Sequence, residues 1–152
     1  MNNEQLKEKI HSIDSGLNIT DGPQYLTINV KPEELSKTAT MLKNNPDLSF
    51  DYLFCLTGND LPDAFAVVYH LESSKYGHAL VLKVTTTDRE NPAVDTVSNI
   101  WETANFHERE VFDLVGITFN NHPDMRRMFL DEEDWVGHPL RKDYTDNNIV
   151  TR

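Results

Sequence analysis

Near the N-terminus the apolar residues fall at helical spacing. Leu6, Ile10 and Ile13 recur at i, i+4 and i+7, a single stripe that predicts a short amphipathic helix over residues 4–13. "DGP" at 21–23 marks a turn. "YLTINV" then alternates, placing Leu26, Ile28 and Val30 on one side of a strand. In "KPEELSKTATMLKNNP" Pro32 suits a first helical turn, Glu33 and Glu34 complement its dipole, and Leu35, Ala39 and Leu42 form the buried stripe. "LSFDYLFCLTGND" reads as the next strand, with Phe50, Tyr52, Phe54 and Leu56 expected on one face and Cys55 as a buried small hydrophobe. Residues 65–71 and 79–86 are two more strands, which turn-rich "ESSKYGH" joins into a hairpin. "TTDRENPAVDT" reads as a polar loop, and residues 95–115 as one helix or two short ones.

The order is therefore helix, strand, helix, three strands, helix. It predicts an α+β fold, a two-layer sandwich with helices on one face of a mostly antiparallel four-stranded sheet. The length of 152 residues suits one domain with a real core. Periodicity ends after Gly116, although Phe119, Met128, Phe129, Leu130, Trp135, Leu140 and Tyr144 all lie beyond it. An irregular stretch this long is unusual inside a compact domain. Large anchors without a period fit a segment that wraps a neighbour. The expected division is an α+β domain over 1–118 and an extended partner-binding tail over 119–152.

Charge narrows the function classes. The formal net charge of −11 opposes binding to nucleic acid, which rests on cations against phosphates, and opposes direct docking on anionic lipid heads. The hydrophobic share is 38% and the mean hydropathy −0.54. No window approaches the run of about 20 apolar residues that spans a bilayer. "MNNEQLKEKIHSID" lacks the pattern of a signal peptide. A cytosolic chain without direct membrane insertion is expected. One cysteine excludes an internal disulfide framework and a cysteine-held iron–sulfur cluster. No glycine-rich loop of phosphate-cradling spacing is present.

The candidate chemistry lies in "FHEREVFDLVGITFNNHPDMRRMF", residues 106–129. On a helix, Ala104, Val111, Phe112, Leu114 and Val115 share one broad arc, which also takes in His107 and Glu108. Asn105, Arg109, Glu110 and Asp113 lie on the other side. Glu108 is thus expected to be at least partly buried, at a cost unless it is paired. Arg126 or Arg127, brought back by the turn at Gly116 and "NNHPD", is its expected partner. Arg109 and Asp113, at i, i+4, can pair on the outer face for about 0.2–0.5 kcal/mol. Glu108 and Glu110 point about 160° apart and cannot address one substrate. Glu110 with Asp113 can, and with His107 or His122 they sketch a small free-standing enzyme. His107 and Glu110 stand at i, i+3, but no His-x-x-x-His pair completes a metal site. The remaining reading is an ion-pair scaffold that fixes this helix against its own tail or another subunit. In "WVGHPLRKDY", residues 135–144, Gly137 and Pro139 bend the backbone. Trp135, Arg141 and Tyr144 are residue types that anchor interfaces, or else the segment is an exposed loop with a solvated charge cluster.

"EREVFDLVGITFNNHPDMRRMFL" and "DWVGHPLRKDY" resemble, in order and spacing, the paired motifs of one hydrophilic subunit of the proton-pumping NADH:quinone oxidoreductases, respiratory complex I. This is the C-type subunit of bacteria, the 30-kDa subunit of mitochondria and the J-type subunit of plastids. Glu108, Arg109, Glu110, Asp113, Gly116, His122, Pro123, Arg126 and Arg127 match the first motif. Trp135, Gly137, His138, Pro139, Leu140, Arg141, Lys142, Asp143 and Tyr144 match the second. The resemblance implies structural and interface roles for these residues, with no catalytic, cofactor-binding or metal-binding residue among them. It implies a non-catalytic subunit of the peripheral arm that packs against the quinone-site subunit and other hydrophilic subunits. FMN and iron–sulfur clusters would sit in those partners, and the isolated chain would have no activity. The location implied is the cytoplasmic side of the inner (cell) membrane, held there through the complex. His107, Val115 and Thr145 depart from the family's usual residues. The electron donor stays open, since related subunits serve ferredoxin-linked and deazaflavin-linked complexes and membrane-bound hydrogenases.

Overall fold

Alternating aliphatic residues on the strands and helical stripes on either side of them decide which surfaces meet. The computed structural model describes residues 1–150, and Thr151 and Arg152 of the expected tail lie outside the described residues. Helix α1 (Asn3–Ile13) opens on a capping box: Asn2 Oδ1 accepts the Gln5 N–H and Gln5 Oε1 accepts the Asn2 N–H. It buries Leu6 and Ile10. Helix α2 (Leu35–Asn44) follows a 3₁₀ turn over Pro32–Glu34, where the Glu34 carboxylate accepts the Lys31 N–H. Its buried side is Leu35, Thr38, Ala39 and Leu42.

Five strands form the main sheet: β1 (Asn18–Asp21), β2 (Leu26–Val30), β3 (Tyr52–Asp60), β4 (Phe65–Glu72) and β5 (Ala79–Thr86). Their order is β1-β2-β5-β4-β3, and only β2 and β5 run parallel. Register aligns the core in rows. Ile28 pairs with Leu82, Leu82 with Tyr69 and Tyr69 with Leu56, and all four are buried beneath the helices.

The α+β class and the one-sided helices match the expectation, while the sheet has five strands rather than four. The added strand, β1, carries one large apolar residue, Ile19, so it has no period to read. It forms a hairpin with β2, closed by the Gly22 N–H on Tyr25 O at 3.1 Å. In β3 a bulge between Leu53 and Cys55 breaks the alternation. Leu53 and Leu56 are therefore buried, Tyr52 is exposed and Phe54 half-buried, so the expected shared face does not form. Cys55 is half-buried opposite His70, not enclosed in the core.

The segment expected as a loop contains strand β6 (Ala93–Asp95), which pairs in parallel with β7 (Thr118–Asn120). Helix α3 (Ala104–Val115) makes the crossover between them. It begins later than expected because residues 96–103 are spent on turns. There Trp101 Nε1 donates to Phe50 O at 2.9 Å and Thr103 Oγ1 to Leu53 O at 3.1 Å. Strand β7 straddles the expected boundary at 118, and its Phe119 is buried in the domain core.

Gly58 sets how closely α3 approaches β3, because a Cβ there would stand 2.5 Å from Val111 Cγ1. Gly58→Ala is expected to destabilise the chain by about 1–3 kcal/mol in urea unfolding, the usual scale of overpacking. Val111→Ala in the same chain should recover part of that loss, and strictly additive losses would remove this contact as the cause.

Candidate functional site

A helix ends with four carbonyls that lack intrahelical donors. In α3 these belong to Phe112, Asp113, Leu114 and Val115, and each is met by a residue that follows the helix. Gly116, in the left-handed region at φ 79°, donates its N–H to Phe112 O and Val111 O. His138 Nδ1 bonds Asp113 O at 2.9 Å, and the Leu140 N–H bonds Leu114 O at 2.8 Å. Arg141 Nε donates to Val115 O at 2.7 Å, while its Nη2 reaches Gly116 O at 3.3 Å. The guanidinium thus sits at the negative end of the helix dipole. Glycine is required at 116 twice over: for its φ, and because a Cβ would meet His138 Cδ2 at 2.4 Å.

Asp113 gathers the preceding stretch of the segment. Its Oδ2 accepts the N–H groups of Met128, Phe129 and Leu130 at 3.0, 2.7 and 3.1 Å, and Arg127 Nη1 lies 3.3 Å from Oδ1. Arg127 also donates from Nη2 to Gly137 O at 2.9 Å, which ties the two halves of the segment together. Burial alone would push the Asp113 carboxyl up. The hydrogen bonds from Phe129, Met128 and Leu130, with the Arg127 charge, outweigh it and hold the group below the usual carboxylate range.

The second motif closes onto the sheet. The Phe65 ring lies between two guanidinium groups, Arg89 at 4.5 Å and Arg141 at 4.8 Å from its centroid. Asp60 accepts from Arg89 Nη2 and from the Lys142 N–H, both at 2.9 Å. Trp135 and Tyr144 stack with planes 8° apart, and Tyr144 Oη donates to Asp146 Oδ2. Pro139 is half-buried, whereas Pro123 and Asp143 are exposed. Asp60, Phe65 and Arg89 were not among the expected site residues. They lie far from the motifs in sequence, and no local pattern marks them.

Glu108 is fully buried, but its expected arginine partner is absent. Neither Arg126 nor Arg127 reaches it. Glu108 Oε1 accepts the Val97 N–H at 2.8 Å, and Oε2 bonds Thr96 Oγ1 at 2.5 Å. His122 Nε2 stands 3.7 Å from Oε2 with its own side chain buried. Arg126 is exposed and forks onto Asp124 at 2.5 and 2.7 Å, and Arg127 belongs to Asp113. Burial raises the Glu108 carboxyl from 4.5 to about 7 against the bonds from Thr96 and Val97. The expected Arg109–Asp113 pair also does not form. Arg109 donates to the carbonyls of Arg126 and Arg127 at 3.2 and 3.3 Å and lies 3.9 Å from Asp124. The outer face of the helix, read as exposed, is where the following segment lies.

These placements bear on chemistry. Asp113 is sealed beneath four donors, so Glu110 and Asp113 do not form an accessible acid–base pair. Glu110 is half-buried beside a groove lined by Leu56, Val111, Leu114 and Leu140. Among the described residues, no three of His, Cys, Asp and Glu gather as metal ligands would.

Asp113→Asn is expected to cost about 1–3 kcal/mol, the scale of losing charge-assisted bonds and leaving buried donors poorly matched. Limited proteolysis should open 128–141 in the variant first, and an unchanged cleavage pattern would deny Asp113 this role. The lowered Asp113 value adds stability that is fully present above its ordinary 3.8 and is lost as pH falls through the folded value. Docking of the segment should therefore weaken in acid. Because they do not touch, Glu108→Ala and Arg127→Ala should add to within about 0.5 kcal/mol in a double mutant. A larger coupling, measured by denaturant unfolding, would restore the pair.

The family described as "Respiratory-chain NADH dehydrogenase, 30 Kd subunit" matches residues 28–148. The C-type subunit of the NADH-quinone oxidoreductase of Roseiflexus castenholzii is 43% identical over 121 residues, 78% of this chain and 68% of that protein. The combined C/D-type subunit of the NADH-quinone oxidoreductase of Phocaeicola vulgatus is 49% identical over 108 residues, 70% of this chain. The match takes up only 21% of that longer protein. In fold, the chain is similar to one in the structure of the membrane-bound sulfane sulfur reductase, an archaeal respiratory membrane complex. That similarity has a TM-score of 0.80 at 22% identity and covers 93% of this chain and 85% of the other. With the matched region enclosing both motifs and most of the sheet, the chain belongs to the family of the 30 Kd subunit of respiratory-chain NADH dehydrogenase.

Proposed function

We propose that this chain is a non-catalytic, interface-forming subunit of the peripheral arm of a proton-translocating NADH:quinone oxidoreductase, seated against the subunit that helps form the quinone site. The observation that carries the reading is a contrast within residues 128–141. Their backbone is fixed by hydrogen bonds to α3, yet Phe129 is 60%, Leu140 62% and Val136 89% exposed. A surface that holds large apolar side chains outward on an ordered backbone avoids much of the ordering cost of association. Asp131, Glu132, Glu133 and Asp134 are exposed beside Trp135 and call for a basic rim on the partner. The joining of a C-type and a D-type name in one relative supports a partner of the second type.

In this reading electrons pass from NADH through FMN and iron–sulfur clusters held by partner subunits to quinone, coupled to proton translocation. This chain contributes shape and anchoring. Among the described residues no helix is long and apolar enough to cross a membrane, so its attachment to the cytoplasmic face would come through the complex.

Arg141 is expected to act differently from Leu140. Since it closes the helix end and covers Phe65, Arg141→Ala should lower the Tm of the isolated chain. Leu140→Asp and Val136→Asp should leave the Tm unchanged and weaken binding to the co-expressed quinone-site subunit by about tenfold or more, or about 1.4 kcal/mol. Titration of the purified pair by calorimetry measures this. Binding indifferent to both substitutions would overturn the assigned surface, and NADH oxidation by the chain alone would overturn the non-catalytic role.

A further inference from the structure

Glu108 takes no part in holding the C-terminal segment, and its surroundings are unusual for a structural carboxylate. Its side chain is fully enclosed, and among the described residues no lysine or arginine reaches it. The donors it does have are neutral: Thr96 Oγ1 and the Val97 N–H. His122 lies at 3.7 Å but is already committed. Its Nδ1 accepts the Asp124 N–H at 3.0 Å, which leaves Nε2 to donate to Asn105 O, also at 3.0 Å. Other ionisable groups on this side include Tyr69 of β4, Asp95 of β6 and Glu102 at the nearby surface cleft. The Glu108 and Asp95 charges both act on the buried Tyr69 hydroxyl, after burial itself, to raise it. They supply no positive charge. An isolated buried carboxylate in such a place is relieved by taking a proton.

A path to solvent is also present. Thr96 Oγ1 lies 2.5 Å from Glu108 Oε2 and 2.8 Å from Ser98 Oγ. One hydroxyl has one hydrogen, so Thr96 cannot donate to both neighbours at once. With Glu108 ionised, Thr96 donates to the carboxylate and accepts from Ser98. With Glu108 protonated, the carboxyl donates to Thr96, which donates to Ser98. Thr96 and Ser98 both line a surface cleft with Asn99, Glu102, Asn105 and Pro123. The bond from the Val97 N–H to Oε1 survives in either state.

We propose that Glu108 is a proton-exchange site that passes one proton to and from this cleft along the hydroxyl pair Thr96–Ser98. The step is balanced: the proton leaving Oε2 enters the Thr96 hydroxyl as that hydroxyl's own proton passes to Ser98, and Ser98 releases one to water. Neither an oxidant nor a partner is required, and none of the cleft residues belongs to the 128–141 stretch proposed to bind a partner.

Protonation from 4.5 in the unfolded chain to about 7 in the fold gives a definite sign. The stabilising contribution is fully present below pH 4.5 and is lost as pH rises through about 7. The test uses infrared difference spectroscopy on the full chain, following the protonated-carboxyl stretch through a pH titration and after rapid pH jumps. The expected result is a band that titrates near neutrality in the wild type and is missing in Glu108→Gln, a neutral isostere that keeps both hydrogen-bonding positions. Thr96→Val should move the midpoint upward by removing a bond to the ionised form, and Thr96→Ser should restore it. Ser98→Ala should slow the appearance of the band severalfold after the jump and leave its midpoint in place. A Glu108 carboxyl that stays ionised from pH 4.5 to 7 overturns the site, and an unchanged rate in Ser98→Ala overturns the path.

Discussion

Helix α3 cannot end alone. Its terminal carbonyls are covered by the residues that follow the helix, so their donors must come from within the chain. Gly116, His138, Leu140 and Arg141 supply them. That single requirement explains why the second motif combines such unlike residues. His138 and Arg141 supply side-chain donors, Leu140 supplies only its amide, and Gly137 gives its carbonyl to Arg127. The order of about thirty residues without regular secondary structure rests on this closure and on the Asp113 carboxylate beside it.

Two carboxylates on the same helix meet opposite treatment. Asp113 is surrounded by three amide donors and a guanidinium, which together overcome the cost of burial and keep it ionised. Glu108 has two neutral donors and, among the described residues, no lysine or arginine beside it, and burial prevails. The helix period sets this division: Glu108 faces the turn that follows β6, while Asp113 faces the returning segment. One holds structure through its charge and the other is positioned to exchange a proton, though both are equally hidden from solvent.

The proposed partner-binding surface and the closure of α3 draw on the same residues in different ways. Backbone amides and buried polar side chains face inward, and apolar side chains on the same residues face out, as at Leu140 and Phe129. A segment fixed in this manner presents anchors without first having to fold. Its local order comes from the domain, so under the proposed role a partner would meet a surface that already exists.

Much of the sheet and both early helices were legible because their stripes are local. Leu6 with Ile10, Leu35 with Leu42, and the alternation through Leu26, Ile28 and Val30 report burial within a few residues. Strands β1 and β6 were not legible, since three or four residues with one large apolar side chain carry no period and gain their identity from a distant partner. The bulge at Phe54 escaped for the same reason. The motif residues themselves were visible, and the burial of Glu108 followed from its arc on the helix. Their pairing was not. Sequence placed Arg127, Glu108, Arg109 and Asp113 in one neighbourhood, but spacing along a helix cannot say which face a later segment will cover. Only the path of the chain after Gly116 decided that Arg127 meets Asp113 and that Glu108 is left to Thr96, because ion pairs are chosen by three-dimensional approach and burial, which a one-dimensional pattern does not contain.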